Sequence, residues 1–227
     1  MASSHGAGDP QWGAPYAVHV NPGWRLPLTG LLCKQPPYGG IRAIDLRTGR
    51  TIWDRPLGSA RRNGPFGIPS MLPFTIGTPN NGGAVITASG LVFIAATTDE
   101  LIRAIDLRTG RTIWDRPFGS ARRNGPWGIP SGLPFEIGTP NNGGAVVTAG
   151  GLIFISAATD DVMRAIDLKT GKTLWIDKLP AGGQAAPMTY EANGRQYVVI
   201  MAGGHHFMET PIGDELIAYA LPGSPRG

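Results

Sequence analysis

Residues Arg42–Trp53 read RAIDLRTGRTIW, residues Arg103–Trp114 repeat them letter for letter, and residues Arg164–Trp175 read RAIDLKTGKTLW, each copy 61 positions after the last. A fixed period of this length means one supersecondary unit used several times, with each unit burying its faces against its neighbours. Aligning residues 41–101 with 102–162 leaves about fifty of the 61 positions identical, and the changes are mild, such as Leu57 for Phe118 and Val92 for Ile153. Beyond Arg164 the register holds only through Trp175, and a shorter, different ending follows. The chain therefore reads as a recent duplication with its own tail.

Inside one unit the period is that of strands. The stretch GGAVVTAGGLIFISAATDD gives a strand over Ala145 to Thr148, a turn at Gly150-Gly151 and a strand over Leu152 to Ala157, rich in the β-branched and apolar residues that a half-buried pleated surface prefers. MRAIDLKTG alternates into a third strand ending at a Thr170-Gly171 turn, and KTLWIDKL supplies a fourth. With 34 Gly, 21 Pro and only 16% charged residues, the composition suits many short strands joined by tight turns. Four short antiparallel strands per unit describe an all-β fold, a β-propeller of four-stranded antiparallel blades. An up-and-down barrel or a sandwich explains the alternation but not the 61-residue beat. Four quasi-blades are expected, at about 12–57, 82–118, 143–179 and 184–221, in one domain or arc over 12–222. Residues 1–11 and 223–227 are expected to be flexible ends. The Gly- and Pro-rich connector GSARRNGPFGIPSMLPFTIGTPNN should cross the top or outer rim as a loop.

Several functions are disfavoured at this level. The formal charge of +4 comes from scattered Lys and Arg, with no basic run interleaved with aromatics as a nucleic-acid groove requires, so no nucleic-acid partner is expected. Cys33 is the single cysteine, which rules out an internal disulfide and a thiolate metal cluster within one chain. No apolar run approaches the ~20 residues of a membrane helix, so no membrane span is expected. The opening MASSHGAGDP has neither a basic nor an apolar leader region, so no signal peptide is read in it.

The repeated stretch has a local logic. Asp45, Asp106 and Asp167 precede a tight turn in which Gly49, Gly110 and Gly171 can take positive φ, and each carboxylate can accept hydrogen bonds from turn amides. Trp53, Trp114 and Trp175 then fall on the outer strand, where a large ring can pack between one blade and the next. These nine residues read as structural staples.

The A-x-D-x-x-T-G-x-x-x-W pattern is similar to the tryptophan-docking motif of the quinoprotein dehydrogenases, eight-bladed propellers that use pyrroloquinoline quinone (PQQ). The tail, LPAGGQAAPMTYEANGRQYVVIMAGGHH followed by GDELIAYALP, resembles the C-terminal end of the membrane-bound PQQ glucose and quinate dehydrogenase group. WGAPYAVHVNPGW through LLCKQPPYGG resembles the segment before those last blades. The resemblance covers Trp12 to Pro222, with one departure: the family would carry the 61-residue unit once, and here it stands twice.

The resemblance implies a PQQ cofactor near the propeller axis with a bound Ca²⁺, oxidation of a sugar or polyol with electrons passed to a quinone, and a periplasmic location. It also implies that the catalytic base and the calcium ligands belong to earlier blades, so that no catalytic residue and no metal ligand is assigned within this chain. The aspartate that the family carries four residues before an Arg-Ala pair corresponds to Asp160 and, through the duplication, Asp99; the histidine of its A-G-G-H stretch corresponds to His205. These are expected near the cofactor and the substrate mouth, with turn capping or solvation as the plainer alternatives. The two GTPNNGG stretches lack the Lys-Ser/Thr and following helix of a phosphate loop. They are expected to bring backbone close to the axis, with Asn81 or Asn142 facing a ligand. Two readings stay open: part of a PQQ-dependent dehydrogenase, or a non-catalytic propeller scaffold or binding module. Four blades could close on themselves, remain an arc, or pair with a second copy into a homo-oligomeric ring.

Overall fold

A computed structural model of the 227-residue chain describes residues 9–10, 17–18, 26, 28–29, 32–62, 64, 66, 68–120, 136–205 and 208–221. Their regular structure is all β apart from one 3-10 turn at Ala60–Arg62. β1 (Asp9–Pro10) pairs with β2 (Ala17–Val18), which ties down part of the segment expected to be a flexible end. The remaining expected end residues lie outside those described.

Next along the chain, β3 (Gly40–Ile44) and β4 (Thr51–Pro56) form a two-stranded sheet. β5 (Ala84–Ile86), β6 (Leu91–Ile94), β7 (Leu101–Asp106) and β8 (Thr112–Pro117) form a four-stranded sheet in chain order. β9 (Ala145–Val147), β10 (Leu152–Ile155), β11 (Val162–Asp167) and β12 (Thr173–Lys178) repeat it, and β13 (Met188–Ala192), β14 (Arg195–Ala202) and β15 (Glu215–Ala220) close the series. All pairings are antiparallel. Among the described residues the first of these sheets has two strands and the last has three.

The core is distributed between sheets rather than gathered in one centre. Ala43, Trp53 and Leu57 of the first sheet pack on Val92, Ile94 and Ile105 of the second. Phe93, Ile102, Trp114 and Phe118 of the second pack on Ile153, Ile155 and Ile166 of the third. Met163 and Leu179 meet Val198, Ile200 and Ala202 of the fourth. Each inner sheet thus buries both faces against successive neighbours, the packing of a β-propeller and not of a barrel or a two-layer sandwich. In all three copies the RAIDL strand carries an irregularity in register at the same Ala-Ile step, Ala43/Ile44, Ala104/Ile105 and Ala165/Ile166, which adds local twist before the turn.

The seams explain the spacing of the repeated motif. The Trp53 indole donates a hydrogen bond of 2.7 Å to the Leu107 carbonyl of the next sheet, and the Trp114 indole donates one of 3.2 Å to the Leu168 carbonyl. A side chain on Gly110 would begin 2.7 Å from the Trp53 ring, and one on Gly171 would begin 2.8 Å from the Trp114 ring. Gly110 and Gly171 also stand at φ 69°, so both conformation and space call for glycine. The turns are pinned from within: Asp106 Oδ1 accepts from the Thr109 amide at 2.7 Å, Asp167 Oδ1 from the Thr170 amide at 2.8 Å, and Asp45 Oδ1 from the Arg47 amide at 2.8 Å. Hydrogen bonds from the Thr109 and Thr170 hydroxyls, then from their amides, hold the Asp106 and Asp167 carboxyls below the ordinary carboxylate value. Trp175 differs: it is 39% exposed and meets Tyr219 of the fourth sheet edge to face at 5.0 Å.

Candidate functional site

Chain order within each antiparallel sheet decides which residues share an end of the propeller. The turns between the first and second strands and between the third and fourth lie at one end, and Leu107 of the second sheet donates its amide to Gly90 across that end at 2.8 Å. The loops between second and third strands, and the connectors from sheet to sheet, lie at the other. Asn81, Asp99, Asn142, Asp160 and His205 all sit at this connector end.

Backbone comes close together there. Gly83 donates to the Gly143 carbonyl at 3.2 Å. A Cβ on Gly82 would stand 3.1 Å from that carbonyl, and one on Gly143 would stand 2.8 Å from the Gln184 carbonyl. Three consecutive sheets therefore place residues 82, 143 and 184 in contact, which a side chain at either glycine would prevent. Asn81 and Asn142 enter this contact row, anchored by amide hydrogen bonds to Ala96 at 2.8 Å and to Ala157 at 2.9 Å. The Asn81 side chain is exposed, whereas Asn142 is half-buried and its Nδ2 lies 3.0 Å from His205 Nε2. Two residues 63 positions apart, both singled out in the sequence, are thus brought together.

Asp99 and Asp160 are engaged elsewhere. Each is buried and forms an ion pair with the arginine four residues on, Arg103 and Arg164 respectively. Each also reaches back across the seam: Asp99 Oδ2 accepts from the Ser59 amide at 2.7 Å and the Ser59 hydroxyl at 2.8 Å, and Asp160 Oδ2 accepts from the Ser120 amide at 2.6 Å. Burial pushes the Asp99 carboxyl up, but the hydrogen bond and charge of Arg103, with Thr97 and the Ser59 amide, outweigh it and hold the group below its ordinary value. Asp99 and Asp160 thus join the loop of their own sheet to the exit of the sheet before, and their oxygens point at these partners. The spacing D-x-x-x-R was legible in the sequence. Ser59 and Ser120, 40 residues upstream, left no local signal.

Glu100, beside Asp99, was not singled out. Burial, opposed by the charge of its ion-pair partner Arg62, pushes its carboxyl up to about 7. Arg62 also donates to the Ile137 carbonyl at 3.3 Å, so the first connector touches the loop entering the third sheet. Gln184 and Thr210, also unremarked in the sequence, are buried beside His205: the His205 amide donates to Thr210 Oγ1 at 2.9 Å, and Thr210 Oγ1 donates to Gln184 Oε1 at 3.1 Å.

Among the described residues no group of three or more His, Cys, Asp or Glu side chains is placed to hold a metal ion. Asp99 and Asp160, two of the buried carboxylates at this end, are already taken by arginines and are not available to a calcium ion. Asn142 and His205 present an amide and an imidazole at this end, and the two buried arginines are held in ion pairs. No helix among the described residues is long and apolar enough to cross a membrane.

Comparison with known proteins fits this arrangement. The PQQ glucose/ethanol/alcohol dehydrogenase β-propeller domain family matches residues 1–115 and again 102–198. The chain belongs to this family. It is 45% identical to the glycerol dehydrogenase large subunit of Gluconobacter oxydans (strain 621H), over 97% of this chain and 21% of that protein. It is 36% identical to the quinoprotein glucose dehydrogenase of Escherichia coli (strain K12), over 94% of this chain and 19% of that protein. The chain thus spans about a fifth of the length of these relatives. In fold it resembles the crystal structure of the quinohemoprotein alcohol dehydrogenase from Comamonas testosteroni, with a TM-score of 0.54 at 17% identity over 83% of this chain and 35% of that one. The family is one of PQQ-dependent alcohol and sugar dehydrogenases, as the sequence resemblance implied.

Proposed function

We propose that this chain forms one wall of the substrate end of a PQQ-dependent sugar or polyol dehydrogenase, with Asn142 and His205 facing the substrate mouth and Asn81 on the same rim. The reading rests on the meeting of Asn142 and His205 at the connector end, in a chain whose relatives are named for glycerol and glucose oxidation. When bound, PQQ would accept the two electrons and two protons of the oxidation. The calcium ligands and the catalytic base come from propeller blades beyond the fifth of the relatives' length that this chain spans. Within this reading Asp99 and Asp160 support the site from behind, by fixing each loop against the sheet before it.

The same reading assigns Trp53, Trp114, Trp175 and the three Asp-to-Gly turns to docking blade on blade, and places the protein in the periplasm. The ring is completed either by further blades or by a second copy of the chain. The test is to combine the purified chain with the remaining blades of a relative, add PQQ and Ca²⁺, and follow quinone absorbance and dye reduction with glycerol, glucose and quinate. Cofactor uptake with substrate-dependent reduction by the completed propeller is the expected result, with no turnover by the chain alone. No quinone spectrum and no turnover in the completed propeller would overturn the reading and leave a propeller scaffold.

A further inference from the structure

We infer that Thr210 and Gln184 are positioning residues that fix the backbone carrying His205, and through it the place of the imidazole, joining its loop to the Asp160 turn through a chain of hydrogen bonds running in one direction. The inference rests on the proposed role of His205, but its geometry stands apart from any cofactor. The His205 amide can only donate, so Thr210 Oγ1 accepts from it at 2.9 Å and must send its own proton elsewhere. That proton goes to Gln184 Oε1 at 3.1 Å. With its oxygen so occupied, Gln184 turns its amide nitrogen to the Ala158 carbonyl at 3.0 Å, two residues before Asp160. No hydroxyl or amide in the series can be reversed without setting donor against donor or acceptor against acceptor.

The backbone around the chain is built to admit it. A side chain on Gly182 would collide with Thr210 Oγ1 and Gln184 Oε1, and one on Gly183 would collide with the Ser156 hydroxyl. The pair of glycines in LPAGGQ is therefore the space in which these polar side chains lie. Gly204 adds a second strut, donating its amide to the Gly182 carbonyl at 2.8 Å, and Gly182 donates in turn to Pro211 at 3.0 Å. Thr210 and Gln184 are both buried, so their hydrogen bonds are shielded from competing water. On the imidazole itself, the Asn142 amide nitrogen turned toward Nε2 can only donate, and in this arrangement Nε2 accepts, which leaves Nδ1 to carry the proton of a neutral ring. The loop is held by Thr210 and Gln184, and the ring is turned by Asn142.

Histidine labelled with ¹⁵N in the intact chain, without cofactor, tests this directly. In the wild type, His205 should show the Nδ1-protonated tautomer and a slowly exchanging backbone amide. Thr210→Val keeps the shape and removes the hydroxyl; it should speed exchange of the His205 amide by about tenfold, the effect of one buried hydrogen bond, and blur the tautomer signature. Thr210→Ser should restore both. Should Thr210→Val fail to fold, Asn142→Ala, at a half-buried position, keeps the inference open to refutation. It should erase the tautomer preference and leave the His205 amide protected. The inference is overturned if Thr210→Val leaves both signals unchanged, if Thr210→Ser behaves like Thr210→Val, or if Asn142→Ala leaves the tautomer intact. Failure of dye reduction with these signals in place would count against the dehydrogenase reading alone.

Discussion

The dodecapeptide at Arg42–Trp53 and the one at Arg103–Trp114 are identical, yet the protein uses them differently. Arg103 turns inward and pairs with Asp99, almost fully buried, whereas Arg42 lies at the surface and donates to Asp54 of the neighbouring strand at 2.8 Å. The cause lies outside the repeated letters: at the position equivalent to Asp99 the first copy has Tyr38, which offers no carboxylate. The glycines differ in the same way. Gly110 is covered by the Trp53 ring of the sheet before it, and Gly49, at nearly the same φ, has nothing within 4 Å. A repeated sequence specifies the turn and the strand, and its neighbour decides which groups become buried.

The largest contrast should come from the arginine partners. Asp99→Ala strands a buried guanidinium and should cost about 3–5 kcal/mol in denaturant unfolding, whereas Asp54→Ala, at an exposed pair, should cost less than about 1 kcal/mol. The difference carries a pH signature. Because the folded Asp99 carboxyl sits below its unfolded value of about 3.9, its contribution is present above that pH and lost as pH falls through the folded value. The acid limb of the stability curve should therefore be flatter in Asp99→Asn than in the wild type. Equal costs for Asp99→Ala and Asp54→Ala would dissolve the distinction between the two copies.

A smaller contrast lies in the turns. Gly49→Ala should lose only the backbone preference for glycine at positive φ, about 1 kcal/mol, while Gly110→Ala adds a collision with the Trp53 ring and should lose about 2–3 kcal/mol. Thermal unfolding of the two variants, compared at one pH, measures this. Similar losses would mean that the Trp53 ring does not rest on Gly110.

These contrasts show where the sequence could be read and where it could not. The strands and the Thr-Gly turns follow from periodicity among residues close together in the chain, and the sheet-on-sheet packing follows from the fixed 61-residue beat. Asn142 and His205 were legible as separate candidates, but their contact was not, since it depends on how the third and fourth sheets meet. Asp99 and Asp160 were read toward a cofactor, and the structure gives each an arginine four residues on and a serine amide 40 residues back. The arginine was visible in the spacing; the serine is reached only through the seam. Gln184 and Thr210 carry no motif that distinguishes them from loop residues, and their part emerges only from the direction of their hydrogen bonds.

The first three of these sheets are joined by indoles that rest on the turn of the next sheet. Hydrogen exchange of the tryptophan indole N–H groups, resolved by ¹⁵N labelling and assigned by substitution, tests it most directly. The account expects Trp53 and Trp114, which donate to Leu107 and Leu168, to exchange slowly, and Trp175, at the tyrosine seam, to exchange fast. Indoles of Trp53 and Trp114 that exchange as fast as that of Trp175 would contradict it.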